Sequence, residues 1–229
     1  MALFASLPGV SQLIANDETP PSVACRLPLF SLPRVFAPEP QSVPAPIPYL
    51  SVPPALTAQW AERLGGIGAG KLRIGVVWSG NVTSEAELGR SIPLSAMAPL
   101  VAQGVQLISL QKGFGVEQLD TSPLPVARLG PDYDAGDFAD TGAVVETLDL
   151  IISCDTSVAH LAGALGKPVW MAVNAVADWR WFEDRSDTPW YPTLRLYRQP
   201  TPGDWTAVFE AMAAGLPTFM QDTANRASV

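Results

Sequence analysis

Apolar residues along the chain fall into short runs separated by segments of helical periodicity. Leu72–Trp78, Val105–Leu110, Pro125–Leu129, Leu150–Cys154, Pro168–Val173 and Thr193–Tyr197 are short, apolar and bounded by turn residues. That is the pattern of strands covered on both faces. Around and between them, Gln59–Leu64, Ser95–Gln103, Asp137–Leu148, Ser157–Leu165 and Asp204–Ala214 carry helical spacing, with Gly65, Gly104, Gly166 and Gly215 as stops. The alternation predicts βαβ units, and hence an α/β fold over residues 59–216: a Rossmann-like, doubly wound parallel sheet. Such sheets hold ligands in the loops beyond the carboxyl ends of their strands.

Residues 1–58 read differently, because they hold 12 of the 23 prolines. Each proline removes a backbone donor and biases its predecessor to extended geometry. Pro38 to Pro54 is therefore expected to be an extended, semi-rigid connector. The apolar pieces before it, Ser11–Ala15 and Leu27–Phe36, are too short to bury a core. They are expected to be the last elements of a domain whose beginning is missing, the alternative being an ordered arm wrapped on the main domain. Residues 217–229 are expected to form a C-terminal tail.

Charge narrows the choice of ligand. With 14 basic and 22 acidic residues the net charge is −8, so no broad footprint for nucleic acid or an anionic membrane is expected. An anionic ligand must be held by backbone donors and one or two basic side chains. Cys25 and Cys154 lie far apart and read as reduced, buried thiols of a cytoplasmic protein. A single histidine and no paired Cys/His spacing predict no metal site. Met1 to Ala15 lacks a basic start and is broken by Pro8-Gly9, a poor signal peptide. No apolar run approaches the ~18 residues of a membrane span. Gly-x-Gly-x-x-Gly, Walker and Gly-x-Ser-x-Gly motifs are absent from the sequence, which argues against nicotinamide, ATP and serine-hydrolase chemistry.

Candidate chemistry gathers at predicted strand ends. The Leu150–Cys154 run stops abruptly at Asp155-Thr156-Ser157, which can cap the following helix. There Val158, Leu161, Ala162 and Leu165 form the packed face, and small residues including Gly163 permit close approach. His160 lies about 200° round from Val158, in the first turn, beside N–H groups that can receive an anion. The positive helix end favours a neutral imidazole there. Asp155 would be repelled by phosphate, so its expected contact is with sugar or ribose hydroxyls. The plainer reading makes Asp155 and Thr156 caps and His160 a surface residue.

After the first strand, Gly80 permits close backbone approach, Asn81 offers donor and acceptor groups, and Arg90 can supply a cation for a diphosphate. An ordinary loop with a solvated arginine is the alternative. Beyond Leu110, Lys112 either neutralises phosphate or faces water. Asp137 and Asp140 favour helix capping over nucleotide contact. Asp132-Tyr133-Asp134 has the spacing of a metal–diphosphate motif but sits between Pro131 and Gly136, which favours a turn. Trp179-Arg180-Trp181-Phe182 and Pro189-Trp190-Tyr191-Pro192 make an aromatic loop suited to packing or to stacking on a ligand.

Taken in order, Gly75-Val76-Val77-Trp78-Ser79-Gly80-Asn81, Arg90–Leu94, Ser109-Leu110-Gln111, Asp137–Thr141, Asp155–Pro168 and Asp178–Trp181 resemble blocks in the C-terminal domain of heptosyltransferase-like glycosyltransferases, glycosyltransferase family 9. The likeness is greatest to bacterial versions fused behind tetratricopeptide repeats, and Leu3–Tyr49 resembles the end of their N-terminal domain. The resemblance implies a GT-B architecture that binds a nucleotide diphosphate sugar without metal or other cofactor. It implies that Asp155, Thr156, Ser157 and His160 line the donor diphosphate and sugar. Ser79, Asn81 and Arg90 would hold phosphates, and Gln111 would lie near the nucleotide. The acceptor site and the general base would belong to an N-terminal domain missing from this chain. The expected function is transfer of a sugar to an acceptor hydroxyl, the acceptor being unknown. The alternative is a non-catalytic nucleotide-binding or partner-docking module.

Overall fold

The computed structural model describes residues 3–36, 39, 46–84, 87 and 89–227. Pro38, Pro40 and Pro44 of the proline-rich connector lie outside the described residues.

Six strands form one parallel sheet: β1 (Leu72–Val77), β2 (Val105–Ser109), β3 (Val126–Ala127), β4 (Leu150–Cys154), β5 (Val169–Val173) and β6 (Leu194–Arg198). Their order is β3-β2-β1-β4-β5-β6, and every adjacent pair is parallel. This is the doubly wound α/β arrangement that the alternation of strands and helices predicts. The helices in chain order are α1 (Leu32–Phe36), α2 (Pro54–Leu64), α3 (Gln118–Thr121), α4 (Pro131–Ala135), α5 (Phe138–Glu146), α6 (Ser157–Ala164) and α7 (Trp205–Ala227).

Strand period divides the core into two layers. On β4, Ile151 joins Val77, Met171 and Leu196 beneath α2, α5 and α6. Leu150, Ile152 and Cys154 point the other way, with Trp170, Phe209 and Met212, under α7 and the 3-10 helix Leu94–Leu100. All five β4 residues are buried, so the continuous apolar run follows from helices covering both faces. From β1 the chain builds outward through β2 and β3, then returns to lay β4 on the other side of β1. The reversal makes the loops leaving β1 and β4 diverge, and a crevice opens between them.

Three sequence expectations are corrected. Residues 94–100 form a 3-10 helix, with Pro99 inside it lacking the amide an α-helix needs there. Gly215 does not stop the last helix, and 217–227 is no loose tail: α7 continues through Pro217 to Ala227. A Cβ on Gly215 would lie 3.3 Å from both Trp170 and Tyr197, so glycine serves close packing there. Past the proline, Phe219 and Met220 still pack on the core, and Phe219 meets Trp170 edge-on at 5.6 Å. Cys25 is exposed, in a segment without regular structure, whereas Cys154 is buried as expected.

The described N-terminal residues divide in two. Leu3 and Val52 are buried in the core beside Gly142. The amides of Tyr49 and Leu50 donate to the Ala164 carbonyl at 3.0 and 3.3 Å, and Ser51 N–H donates to Ser6 Oγ. Residues 3–7 and 46–53 thus form an arm lying on α5 and α6. Between these two stretches the segment that holds α1 is largely exposed, including Leu29, Phe30, Val35 and Phe36. Among the described residues, no helix is long and apolar enough to cross a membrane.

Phe219→Ala is expected to lower stability by roughly 1–2 kcal/mol, below the ~3–5 of a fully buried phenylalanine. Urea denaturation checks this; a loss under ~0.5 kcal/mol would mean that the helix carries no packing beyond Pro217.

Candidate functional site

The β1 loop is held by a glutamine. Gln111 Oε1 accepts from the amides of Trp78 and Ser79, both at 3.0 Å. Its Nε2 donates to the carbonyls of Ser79 at 2.9 Å and Phe114 at 2.7 Å. The residue is 4% exposed, and both ends of its amide are occupied by backbone. Gln111 therefore shapes the loop with its amide while lining the cleft described below. Ser79 is likewise buried, its Oγ 3.1 Å from Ser91 Oγ. Asn81 is exposed, with Oδ1 accepting from the Thr83 amide and hydroxyl. A Cβ on Gly80 would make only ordinary contacts, at 3.6 Å or more. The protein itself therefore does not require glycine at that point.

Across the crevice, α6 begins without a side-chain cap. Thr156 occupies the N-cap in extended conformation, but its Oγ1 meets Ser153 Oγ at 3.0 Å. The capping expected of Asp155-Thr156-Ser157 does not occur, because Ser153 engages one hydroxyl and Trp181 the carboxylate. The first amides of α6 face a cleft of about 300 Å³. Ser79, Gly80 and Asn81 line one wall, and Thr156, Ser157 and Val158 the other. Asp155 is 7% exposed. Its Oδ2 accepts from Trp181 Nε1 at 2.9 Å and lies 4.0 Å from Arg180; its Oδ1 stands 3.7 Å from His160 Nε2. Burial alone would raise the Asp155 carboxyl, but His160, the Trp181 N–H and Arg180 together hold it below the ordinary carboxylate range.

His160 does point away from the sheet, but not into open solvent. Its ring stacks on Trp181 at 5.4 Å, and Nδ1 lies 3.0 Å from the Tyr191 hydroxyl. The aromatic loop thus packs on the candidate site itself. Tyr191 and Trp181 contact candidate site residues that local pattern did not connect them with. The aromatic clusters of 179–182 and 189–192 were the available signal, but their target lies more than twenty residues away in the chain.

Basic groups are few and specifically placed. Arg90 Nη1 donates to the Asp155 carbonyl at 3.4 Å, and its buried Nε has no partner among the described residues. Glu87 Oε2 is similarly unpaired. Arg90, Arg180, Asn174 and Asp155 line a second recess of about 220 Å³. Lys112 lines the first cleft, and its Nζ donates to the Gly136 carbonyl at 2.8 Å and sits over the Tyr133 ring. Burial lowers its pKa, partly offset by Asp140, Asp134 and Asp137. Asp137 and Asp140 form a capping box on α5. The Asp132-Tyr133-Asp134 run is part of α4, with Asp132 paired to Arg63 and the Tyr133 hydroxyl donating to the Leu110 carbonyl. Among the described residues, no group of three or more His, Cys, Asp or Glu side chains is placed to hold a metal ion. A third, apolar cleft of about 530 Å³ is lined by residues of the N-terminal arm, α5 and α6, with His160 on its wall.

No family model matches the chain. In sequence it is similar to Protein FlbA of Caulobacter vibrioides, 28% identical over 179 residues that cover 75% of this chain and 29% of that protein. In structure it is similar to E. coli ADP-heptose lps heptosyltransferase II: TM-score 0.54, 13% identity, 79% of this chain and 56% of that one. It is also similar to the glycosyl transferase family 9 protein of Veillonella parvula: TM-score 0.52, 13% identity, 76% of this chain and 53% of that one. The chain shares its α/β fold with these transferases. It spans little more than half the length of either structure and under a third of FlbA.

Gln111→Ala is expected to cost about 2–4 kcal/mol, since two buried amides lose their acceptor; urea denaturation measures it. Asp155 titrates below its ordinary 3.8 in the folded state, so its stabilisation is present above that pH and lost as pH falls through the depressed value. Asp155→Asn should therefore flatten the loss of stability on acidification below about pH 4, as followed by tryptophan fluorescence.

Proposed function

We propose that this chain is the donor-binding part of a glycosyltransferase that moves a sugar from a nucleotide diphosphate sugar to an acceptor hydroxyl. One observation carries the reading. At the reversal point of a parallel sheet, an uncapped helix N-terminus faces a cleft, with a buried, unpartnered arginine nitrogen close by. In a protein of net charge −8, this is a local site for a diphosphate. Likeness in fold to two transferases, one of them an ADP-heptose heptosyltransferase, supports the same reading.

The residues then divide the work. As the bond from sugar to diphosphate breaks, negative charge grows on the leaving phosphate oxygen. The α6 amides and Arg90 stabilise that charge without reorganising. Asp155 Oδ1 and His160 Nε2, an acceptor beside a ring nitrogen able to donate, face the hydroxyls of the sugar. Asn81 and Ser157 border the phosphates from opposite walls. Acceptor groups and the general base come from a second Rossmann-like half outside this chain, in the arrangement of transferases that follow tetratricopeptide repeats. A module that binds nucleotide without turnover is the second reading, favoured by Asp155, whose carboxylate is already engaged by Trp181.

Titration calorimetry with ADP-, UDP- and GDP-sugars tests the site. One nucleotide class should bind, and Arg90→Ala should weaken it at least ~10-fold, about 1.4 kcal/mol. Failure of all three to bind would leave the α6 crevice a packing surface. Binding without turnover in the presence of the partner domain would favour the module.

A further inference from the structure

We infer that Tyr191, backed by Tyr49, is a positioning residue that fixes the protonation form of His160 so that Nε2–H points at Asp155 and the crevice. The three groups form a line: Tyr49 Oη lies 3.5 Å from Tyr191 Oη, and Tyr191 Oη lies 3.0 Å from His160 Nδ1. Beyond the ring, Nε2 faces Asp155 Oδ1 at 3.7 Å. Only one direction of donation suits both ends of the ring. If Nδ1 carried the proton, a bare Nε2 would turn its lone pair toward a carboxylate. With Tyr191 donating to Nδ1, Nε2 carries the proton and the Asp155 charge attracts it. Burial, and next to it the Tyr49 hydroxyl, push the Tyr191 phenol well above its usual range, so Tyr191 keeps the proton it donates.

The fold holds Tyr191 in place. A Cβ on Gly163 would lie 2.5 Å from the Tyr191 ring, so the ring packs directly on the α6 backbone one turn beyond His160. Tyr191 is 7% exposed. The groups around the imidazole are Asp155 from the β4 loop, Arg180 from the β5 loop, Tyr191 before β6, Tyr49 from the arm and Asp137 across the apolar cleft.

The inference rests on the proposed function only for its purpose, which is a fixed N–H offered to a ligand hydroxyl. Its test uses the unliganded protein, so it stands or fails apart from donor binding. The chain has a single histidine, and two-bond ¹H–¹⁵N spectra therefore read His160 alone. The neutral ring of the wild type should show protonated Nε2 and bare Nδ1. Tyr191→Phe keeps the ring against Gly163 and removes the hydroxyl. It should mix the two tautomers of the neutral ring, with little change in the urea midpoint. Tyr49→Phe should mix them to a smaller extent. A protonated Nδ1 in the neutral wild type, or unchanged nitrogen shifts in a folded Tyr191→Phe protein, would overturn the inference.

Discussion

A parallel sheet cannot turn back on itself through hairpins, so each strand must hand the chain to a crossover before the next begins. Here the crossovers go one way from β1 to β3 and the other way from β4 to β6. The rest of the site depends on that reversal. It parts the loops at residues 78–81 and 155–157, and it lets the first turn of α6 face open space. Covering both faces with helices makes the sheet itself dry and rigid. The groups free to meet a ligand are consequently those beyond the strand ends.

Around the crevice, polar groups either build walls or stay available, and the structure separates the two. Gln111 is a wall: its amide ties the first two strand ends together. Lys112 is tied to Gly136, while the Asp137 and Asp140 carboxylates complete the cap of α5. What stays available is small: the first α6 amides, the Arg90 guanidinium, Asn81 and the outer oxygen of Asp155. In an acidic chain this economy matters, because a few fixed donors in a partly desolvated cleft hold an anion better than a diffuse positive surface does.

The aromatic loop between β5 and β6 and the N-terminal arm link this crevice to more distant chain. Trp181 holds Asp155 by its indole N–H and stacks on His160. Tyr191 contacts the same imidazole and reaches Tyr49 of the arm. The arm in turn is bonded to the end of α6 through Ala164. A residue set drawn from four separate stretches of chain therefore sets the geometry at one helix turn. The described residues of the arm share the core of this domain through Leu3 and Val52.

Periodicity and end signals were enough to determine the layered α/β class, all six strands within a residue or two at each end, and α6 with its histidine turned from the packed face. These follow from local rules: burial on both faces makes unbroken apolar runs, and helix geometry assigns a face to each position. Only the tertiary structure decided the strand order, the use of Gln111 and Lys112 as braces, the continuation of α7 past Gly215, and the meeting of Trp181 and Tyr191 with His160. Each of those depends on partners distant in sequence, such as Trp170 against Gly215 or Trp78 against Gln111. A polar side chain carries the same letter whether it holds its own backbone or waits for a ligand. Which of the two it does is set by the neighbour that folding brings within hydrogen-bond reach.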